Sequence, residues 1–303
     1  MKLSTLIVAI VLLGGPVVAI ADTLDETYQG LQDAVKNKDA AQVKKLVADA
    51  APLVREGLAV PAPQAEDEKP GWTTRMDYVK SVAEYMEYAL FAVSIGAPPA
   101  TVVDLISTLE QQNPKSKYLE SAYSPYLAAL NQTGAAAKIP AIAEKALANL
   151  PNNVDLLGVL ADSAFAKQQN DRALGFSLRA IAAFGKPKPE VVPDADWTRK
   201  KSLLLGRAYW TAGLVYSLKN DFNPADKNLR AALPLIQGNN AMMGPALFYL
   251  GLSNYQLGKQ FLSKARVLEA AKFSEQCAAI PGPLADQARH NAIVMRSDAD
   301  KMR

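Results

Sequence analysis

Apolar residues recur along this chain at spacings of three and four positions, and stretches in which apolar and polar residues alternate are nearly absent. The first spacing places apolar side chains on one face of a helix, whereas alternation would indicate strands. The Asn-Gly and Asp-Gly pairs that commonly connect hairpin strands do not occur. The pattern therefore predicts an all-α protein.

Proline, glycine and asparagine divide the helical pattern into segments. In the stretch KALANLPNN, residues 145–153, an alanine- and leucine-rich run meets a proline and two asparagines. Proline lacks the amide that a continuing helix needs, so the helix is predicted to end at about Leu150. The other predicted breaks are residues 61–71, 97–99, 113–114, 134, 185–196, 237–240, 258 and 281–283.

Small and apolar residues return in register along the middle of the chain. Ile139 and Ala146 are followed 34 positions later by Ala173 and Ala180, and a third match falls on Ala225 and Ala232. Two fragments repeat the same arrangement of an Asn-Asp turn followed by alanines, namely residues 166–181 and 218–233. A fixed period of this length indicates a repeated helix-turn-helix unit.

This period and its residues resemble the tetratricopeptide repeat, whose signature runs from a bulky residue through Leu-Gly and Tyr to Ala, Phe, Ala and a closing Pro. The best matches are YWTAGLVYSLKNDF, residues 209–222, and LFYLGLSNYQLG, residues 247–258. The resemblance implies an α-solenoid of antiparallel helix hairpins, a TPR-like right-handed superhelix, over residues 120–283. Two segments depart from the 34-residue repeat: an insertion at about 187–204 and eight extra residues at 259–266.

The remaining segments are assigned by periodicity. Residues 22–58 are predicted to form an N-terminal helical pair, 59–71 a linker, and 72–119 a divergent helical repeat. Residues 284–303 are amphipathic at first and charged later, as expected of a C-terminal capping helix.

The first 21 residues have the order of a secretory signal peptide. Lys2 is followed by an apolar run at 6–13, a Gly-Gly-Pro break at 14–16 and a small-x-small sequence at 19–21. The chain is therefore expected to be exported to a bacterial periplasm or secreted, with a mature N-terminus near Asp22 and no membrane insertion of the mature chain. Loss of Lys2 lowers the formal net charge from +3 to +2, which predicts no nucleic-acid partner.

The sequence contains few residues suited to catalysis. Its single histidine, His290, lies in the predicted capping helix, and its single cysteine, Cys277, is interpreted as a buried apolar thiol. Neither a phosphate-binding loop nor a zinc or nucleophile motif occurs. The chain is therefore predicted to be neither an enzyme nor a cofactor-binding protein.

The segment around Trp197 is a candidate for recognition. Asp194 and Asp196 accompany this tryptophan in the insertion, which is read either as a recognition loop or as an irregular cap anchored by Trp197. The acidic run at 66–68 lies in the linker and is read as solvated.

The resemblance implies a binding groove on the concave face, lined by the first helix of each repeat. Carried over repeat by repeat, it gives these partner-binding residues: Asn131, Asp162, Phe165, Arg207, Trp210, Leu214, Phe248 and Tyr255. Trp, Tyr and Arg commonly anchor interfaces, so Arg207, Trp210 and Tyr255 are the preferred contacts. A core position is the competing interpretation for Phe165 and Leu214.

Two functions fit these observations. The first is a non-enzymatic, exported scaffold that holds a protein or peptide partner in its groove. The alternative is an accessory subunit of an envelope enzyme or transport system that binds a small molecule such as a glycan, with aromatic rings from the Trp197–Trp210 region stacking on sugars.

Overall fold

A computed structural model describes the backbone of residues 16–302 and the side chains of residues 24–302. Within this part of the chain all regular secondary structure is helical, and neighbouring helices pack consecutively. The predicted all-α, solenoid-like fold class is thereby confirmed. Most of the predicted leader, residues 1–15, lies outside the described residues.

The chain divides into two compact units, with the boundary between Leu119 and Glu120. The helices of the first unit are α1 (Pro16–Lys36), α2 (Ala40–Leu58), α3 (Lys69–Ser94) and α4 (Pro99–Gln112). The predicted linker at 59–71 therefore ends earlier than expected, because α3 already begins at Lys69. Proline at its second position fits this start, since the amide that proline lacks has no partner there.

The second unit contains the remaining helices, of which α5 begins at the boundary. They are α5 (Leu119–Gln132), α6 (Ile139–Leu147), α7 (Val154–Ala166), α8 (Asn170–Phe184), α9 (Asp194–Lys200), α10 (Gly206–Leu218), α11 (Phe222–Ala232), α12 (Asn240–Gln260), α13 (Lys264–Ala278) and α14 (Ala285–Lys301). A π-helical segment, Lys201–Leu205, joins α9 to α10 without a break. Short 3-10 turns precede α6 and follow α11.

One backbone corner connects the two helices of five hairpins. Its central residue has a left-handed φ between 51° and 77°, and the five are Lys38, Gly134, Gln168, Asn220 and Leu262. The amide of the next residue returns to the carbonyl five positions earlier, at 2.8–2.9 Å in all five cases. This is the hydrogen bonding that closes a helix end around a left-handed residue. We call α5, α7, α10 and α12 the A helices of the second unit, and α6, α8, α11 and α13 its B helices.

The corners confirm the repeat length and correct the position of the extra residues. Gly134 and Gln168 are 34 positions apart, as predicted, and the later intervals to Asn220 and Leu262 contain 18 and eight further residues. The predicted break at Gly258 is wrong, because this residue lies inside α12. The eight residues lengthen the start of α12 and do not form an insertion at 259–266.

Glycine permits the closest contacts between A and B helices. A Cβ atom on Gly213 of α10 would lie 2.5 Å from Cγ of Leu229 on α11, and one on Gly258 would lie 2.6 Å from a methyl group of Val267 on α13. Contacts this short are not tolerated in a packed core. The glycine at 258 is thus a packing position and not a helix breaker.

The predicted insertion at 187–204 is largely helical, which contradicts its interpretation as an irregular cap. Only residues up to Pro193 form a loop, and α9 with the π-helical segment extends α10 toward its N-terminus. Asp194 and Asp196 occupy the first turn of α9, where negative charge interacts favourably with the positive end of the helix dipole. At the other end of the unit, α14 packs on α13 through Met295 and Ala299.

Candidate interaction surfaces

The A-helix face of the second unit is held together by contacts between α7 and the continuous helix α9–α10. Three pairs, each separated by 45 residues, join the two helices: Asp155–Lys200, Asp162–Arg207 and Phe165–Trp210. A constant separation means that the helices run side by side in one register. Four of the predicted partner-binding residues therefore contact one another in pairs.

The ion pair of Asp162 and Arg207 lies at the edge of this face. Arg207 Nε is 2.5 Å from Asp162 Oδ1, and 52 % of the arginine side chain is exposed against 35 % of the aspartate. Burial raises the pKa of Asp162, and the neighbouring guanidinium offsets only part of this rise. The cavity below the pair has a volume of about 10 Å³, room for no more than one water molecule. A partner can therefore reach the guanidinium only from the surface.

Trp210 connects three helices of the second unit. Its ring lies edge-on to Phe165 of α7 with 5.7 Å between ring centroids, and its Nε1 donates a 2.8 Å hydrogen bond to the carbonyl of Met242 on α12. The half-buried ring also packs against the buried cluster that contains Leu229 and Leu250. Trp210 consequently contributes to packing as well as presenting an edge to solvent.

Tyr255 links α12 to the last helix. Its hydroxyl donates a 2.5 Å hydrogen bond to Asp298 Oδ2 on α14. This bond raises the pKa of Tyr255, because losing the proton would destroy the bond, and it lowers the pKa of Asp298, because it favours the carboxylate. Lys259 lies 3.4 Å from the same carboxylate oxygen. The side chain is half-buried, so part of the ring stays accessible.

Two predicted contacts are wrong, because they belong to the core. Leu214 and Phe248 are 4 % and 5 % exposed, respectively. Leu214 packs in the cluster with Leu229, and Phe248 packs with buried Cys277. Helical position alone does not separate a groove residue from a core residue when α10 and α12 are covered on several sides. Asn131, in contrast, is exposed near the end of α5.

The aromatic residues proposed for a glycan site pack against different partners. Trp197 contacts Phe184 of α8, with ring centroids 5.1 Å apart, whereas Trp210 contacts Phe165 of α7. The two tryptophans are therefore held by separate helices. Their arrangement gives no continuous stacking platform between them.

A buried polar network lies at the N-terminal end of α7. Asn153, the last residue of the stretch KALANLPNN, caps α7 by accepting hydrogen bonds from the amides of Asp155 and Leu156. Its Nδ2 donates a 2.8 Å hydrogen bond to Glu120 Oε2 on α5. Lys200 of α9 completes the network through its ion pair with Asp155. Burial raises the pKa of both carboxyl groups, and the nearby lysine lowers the pKa of each by a smaller amount.

The first unit contains a continuous row of aromatic rings that the sequence interpretation missed. Consecutive ring centroids are 5.1–6.4 Å apart, and the aromatic row consists of Tyr28, Tyr78, Tyr85, Tyr88, Phe91 and Tyr118. Four of these residues lie on α3 at positions 78, 85, 88 and 91, a spacing that places them along one side of a helix. That spacing is the signal in the sequence that could have revealed the row.

The aromatic row lies at the surface of the first unit. Tyr88 is 39 % exposed, and the other five rings are half-buried. Burial raises the pKa of Tyr78, Tyr85 and Tyr118, and in Tyr78 the hydrogen bond donated to Asp25 adds to the rise. These hydroxyl groups therefore remain protonated and able to donate hydrogen bonds at neutral pH.

The two remaining residues with reactive side chains, Cys277 and His290, have different environments. Cys277 is buried, its thiol donates to the carbonyl of Gly244, and burial raises its pKa. His290 is exposed on α14. Among residues 24–302 no group of three or more His, Cys, Asp or Glu side chains is arranged to hold a metal ion. None of the described helices is both long and apolar enough to span a membrane.

Comparison of the chain with protein-family models, curated proteins and solved structures finds no match. The resemblance to the tetratricopeptide repeat therefore stays a prediction from the sequence. The helix hairpins themselves are observed in the structure.

Proposed function

We propose that this protein is a non-enzymatic, exported scaffold of the TPR-like type that binds a protein or peptide partner on the A-helix face of its second unit. The observation that carries the proposal is the corner shared by the hairpins at Gly134, Gln168, Asn220 and Leu262. Hairpins stacked through one repeated corner present equivalent positions of successive A helices side by side. Repeat proteins use such extended surfaces for binding.

The chemistry of this face suits a polypeptide partner. Arg207 offers a half-exposed guanidinium, Asn131 an exposed amide, and Trp210 and Tyr255 accessible aromatic edges. Arg, Trp and Tyr are the residues that most often dominate binding energy at interfaces. The close packing of α7 against α10 leaves little room for a small molecule between them, which favours a partner laid across the surface.

Export supports a role in a bacterial envelope, as a periplasmic or secreted protein. The order of charge, apolar run and small-x-small sequence in residues 1–21 is the basis of this part of the proposal. An exported chain with one cysteine has no internal disulfide to stabilise it. Its stability therefore depends on helix packing.

The proposal is tested with peptides selected from a random library on the purified protein. Binding of each selected peptide is measured by fluorescence anisotropy with the wild type and with the exchange variant Asp162→Arg/Arg207→Asp. This exchange keeps an ion pair across α7 and α10 while it reverses the charges shown to a partner. We expect at least about a tenfold loss of affinity with little change in melting temperature, since Arg207 is an accessible interface-type residue.

Arg179→Ala on α8 is the matched control, because Arg179 is an exposed arginine on a B helix. Its affinity for the same peptides should equal that of the wild type. Selected peptides that bind both variants as tightly as the wild type would place the binding surface elsewhere and contradict the proposal.

A further inference from the structure

We infer that the outer surface of the B helices of the second unit binds the headgroups of an anionic phospholipid bilayer. We call this surface the B-helix face; it consists of the exposed residues of α6, α8, α11 and α13 and of the 3-10 turn before α6. Its residues differ from those of the A-helix face, so the inference does not depend on the partner proposed there. It rests on the charge of the second unit, on the pairing of the carboxylates and on the positions of the cations.

The nearly neutral charge of the whole chain conceals two units of opposite charge. Each unit contains 15 Asp and Glu residues, but the first has 11 Lys and Arg residues and the second has 22. Their formal net charges are therefore −4 and +7, which together give the +3 of the full sequence. A strong difference in charge between two parts of a chain is typical of proteins that bind nucleic acids or membranes.

Every carboxylate of the four B helices forms an ion pair within the second unit. The pairs are Glu144–Arg172, Asp171–Lys219, Asp226–Arg230, Glu269–Arg230 and Glu275–Arg296. Six exposed cations of the B-helix face have no carboxylate partner among residues 24–302, namely Lys138, Lys145, Arg179, Lys227, Lys264 and Lys272. Arg179 and Lys264 donate to backbone carbonyls, which leaves their charge in place. The B-helix face therefore carries positive charge that the described part of the protein does not neutralise.

The repeated corner turns these cations outward. On all four B helices the ninth and twelfth residues after the central residue of the corner are buried, as Ala143 and Ala146 are on α6. Successive residues of a helix are rotated by about 100°, so the tenth and eleventh residues lie away from that buried side. Lys145 and Arg179 are the eleventh residues after their corners, and Lys272 is the tenth after its own. Three of the four hairpins thus present a cation on the same exposed side.

The cations cover an area that is wide in two directions. On α13, Lys264 and Lys272 are eight residues apart, which is a rise of about 12 Å along the helix. Across the helices, the pair Glu144–Arg172 joins α6 to α8, and Arg230 joins α11 to α13 through Glu269. An acidic peptide or a nucleic-acid helix is a rod and would meet one row of such an array. A flat anionic surface meets all of it.

The type of cation also favours a bilayer. Five of the six exposed cations without a carboxylate partner are lysines, and only Arg179 is an arginine. The planar guanidinium of arginine suits a fixed carboxylate or phosphate, whereas the compact charge of lysine on its flexible stem needs no fixed partner geometry. Anionic lipids offer mobile phosphate groups over a wide area, and they attract lysine and arginine near the membrane surface.

The test measures sedimentation of the purified protein with lipid vesicles. The vesicles consist of phosphatidylcholine alone or of phosphatidylcholine with about 30 % phosphatidylglycerol, in about 100 mM salt. Lys145→Gln/Lys272→Gln removes two cations from the B-helix face, and Lys145→Arg/Lys272→Arg keeps their charge. Lys167→Gln/Lys201→Gln is the matched control, because these two exposed lysines also lack a carboxylate partner among residues 24–302 but lie at the end of α7 and in the π-helical segment.

We expect the wild type to bind the anionic vesicles at least about tenfold more tightly than the neutral vesicles. A rise to about 500 mM salt should abolish this binding, because exposed charges are screened. Removal of both cations should weaken binding by about 25-fold, since each contributes about fivefold near an anionic surface. The arginine variant should stay within about twofold of the wild type, because its charge is unchanged. The control should lose less than about threefold, because its lysines lie away from the B-helix face.

Any of three results would overturn the inference. They are equal affinity for the two kinds of vesicle, equal losses in the B-helix variant and its matched control, and binding of polyglutamate or duplex DNA without binding of vesicles. Melting temperatures of all variants are measured in parallel. If Lys145→Gln/Lys272→Gln is destabilised, Lys138→Gln/Lys227→Gln removes two other cations from the same face, and the inference then requires a similar loss of affinity from this second pair.

Discussion

Lys200 on α9 and Asp155 on α7 form an ion pair inside the second unit, with side chains that are only 10 % and 8 % exposed. Removing one member of a buried pair leaves the other as an uncompensated charge. We expect Lys200→Met to lower the free energy of unfolding by about 3–5 kcal/mol. Urea titration in a Trp72→Phe background, followed by the fluorescence of Trp197 and Trp210, measures this loss in the second unit, because Trp72 is the tryptophan of the first unit.

Lys219→Met is the matched control for this variant. Lys219 pairs with Asp171, but 47 % and 84 % of the two side chains are exposed. Exposed pairs contribute about 1 kcal/mol or less, so the control should unfold almost like the wild type. Equal losses for the two lysine variants would show that burial of Lys200 has no special energetic role.

Asn153 and Asn152 are adjacent in the stretch KALANLPNN, yet only Asn153 caps α7 and bonds to Glu120. Replacing a capping asparagine with alanine costs about 0.5–2 kcal/mol. We expect Asn153→Ala to reach at least the upper end of this range, because it also breaks a partly buried hydrogen bond. Asn152→Ala, at an exposed position, should cost far less in the same denaturation experiment.

Glu120 should make the stability of the second unit depend on pH. Its pKa is raised above the ordinary value of 4.5, chiefly by burial, so the folded state holds the proton more tightly than the unfolded state does. The stability gained this way is complete below about pH 4.5 and is lost as the pH rises through the higher folded-state pKa. Glu120→Gln removes the charge that causes the loss.

The variant should therefore melt at a higher temperature than the wild type at pH 7, and the difference should shrink toward zero below pH 4.5. Differential scanning calorimetry between pH 4 and 7.5 measures this trend, with exposed Glu190→Gln as the control. A difference between Glu120→Gln and the wild type that stays constant with pH would contradict the expected titration.

Gly213 and Gly175 are both helical glycines with opposite surroundings. A Cβ atom at Gly213 would lie 2.5 Å from Leu229, whereas one at Gly175 would meet nothing within 4 Å. Gly213→Ala should destabilise the protein by about 1–3 kcal/mol through overpacking. Gly175→Ala should stabilise it by up to about 1 kcal/mol, because alanine favours the helix. Urea midpoints that shift in the same direction would contradict the observed packing.

The predicted leader is tested by mass spectrometry of the protein expressed with its full sequence in a bacterium. We expect the mature N-terminus at Asp22, which removes residues 1–21 and keeps buried Leu24 and Leu31 of α1. Recovery in the periplasmic fraction or the medium is expected with it. An intact N-terminus on a cytoplasmic product would reject the export prediction.

Several features of the fold could be predicted because they depend on local sequence. The helical class follows from spacing, and the 34-residue period follows from Ala173 and its equivalents. The proline and asparagines at 151–153 predict an end of α6 at about Leu150, and the helix ends three residues earlier, at Leu147. The location of extra residues could not be predicted, because residues 194–205 are as compatible with a longer helix as with a loop. From the sequence alone Gly258 is predicted to end a helix. Its role as a packing position becomes clear only from its close contact with Val267.

The candidate surfaces were harder to predict than the helices, because exposure depends on residues that are distant in sequence. Trp210 and Tyr255 were correctly placed on A helices, but their bonds to Met242 and Asp298 need the packing of α12 and α14. Leu214 and Phe248 share the periodicity of surface positions and are nevertheless enclosed. The aromatic row of the first unit also includes Tyr28 and Tyr118, which lie outside α3. Periodicity within α3 therefore could not predict their contacts with Tyr85 and Tyr88.

The corner between paired helices carries chemically unrelated residues at its centre: Lys38, Gly134, Gln168, Asn220 and Leu262. Its bend is closed by the amide of the following residue, so the central side chain has no part in forming it. Leucine is accepted there even though it is 82 % exposed and left-handed backbone disfavours it. The five corners therefore share a backbone hydrogen bond and not a side chain, so comparing the residues at these positions would not reveal the repeat, whereas comparing their hydrogen bonds does.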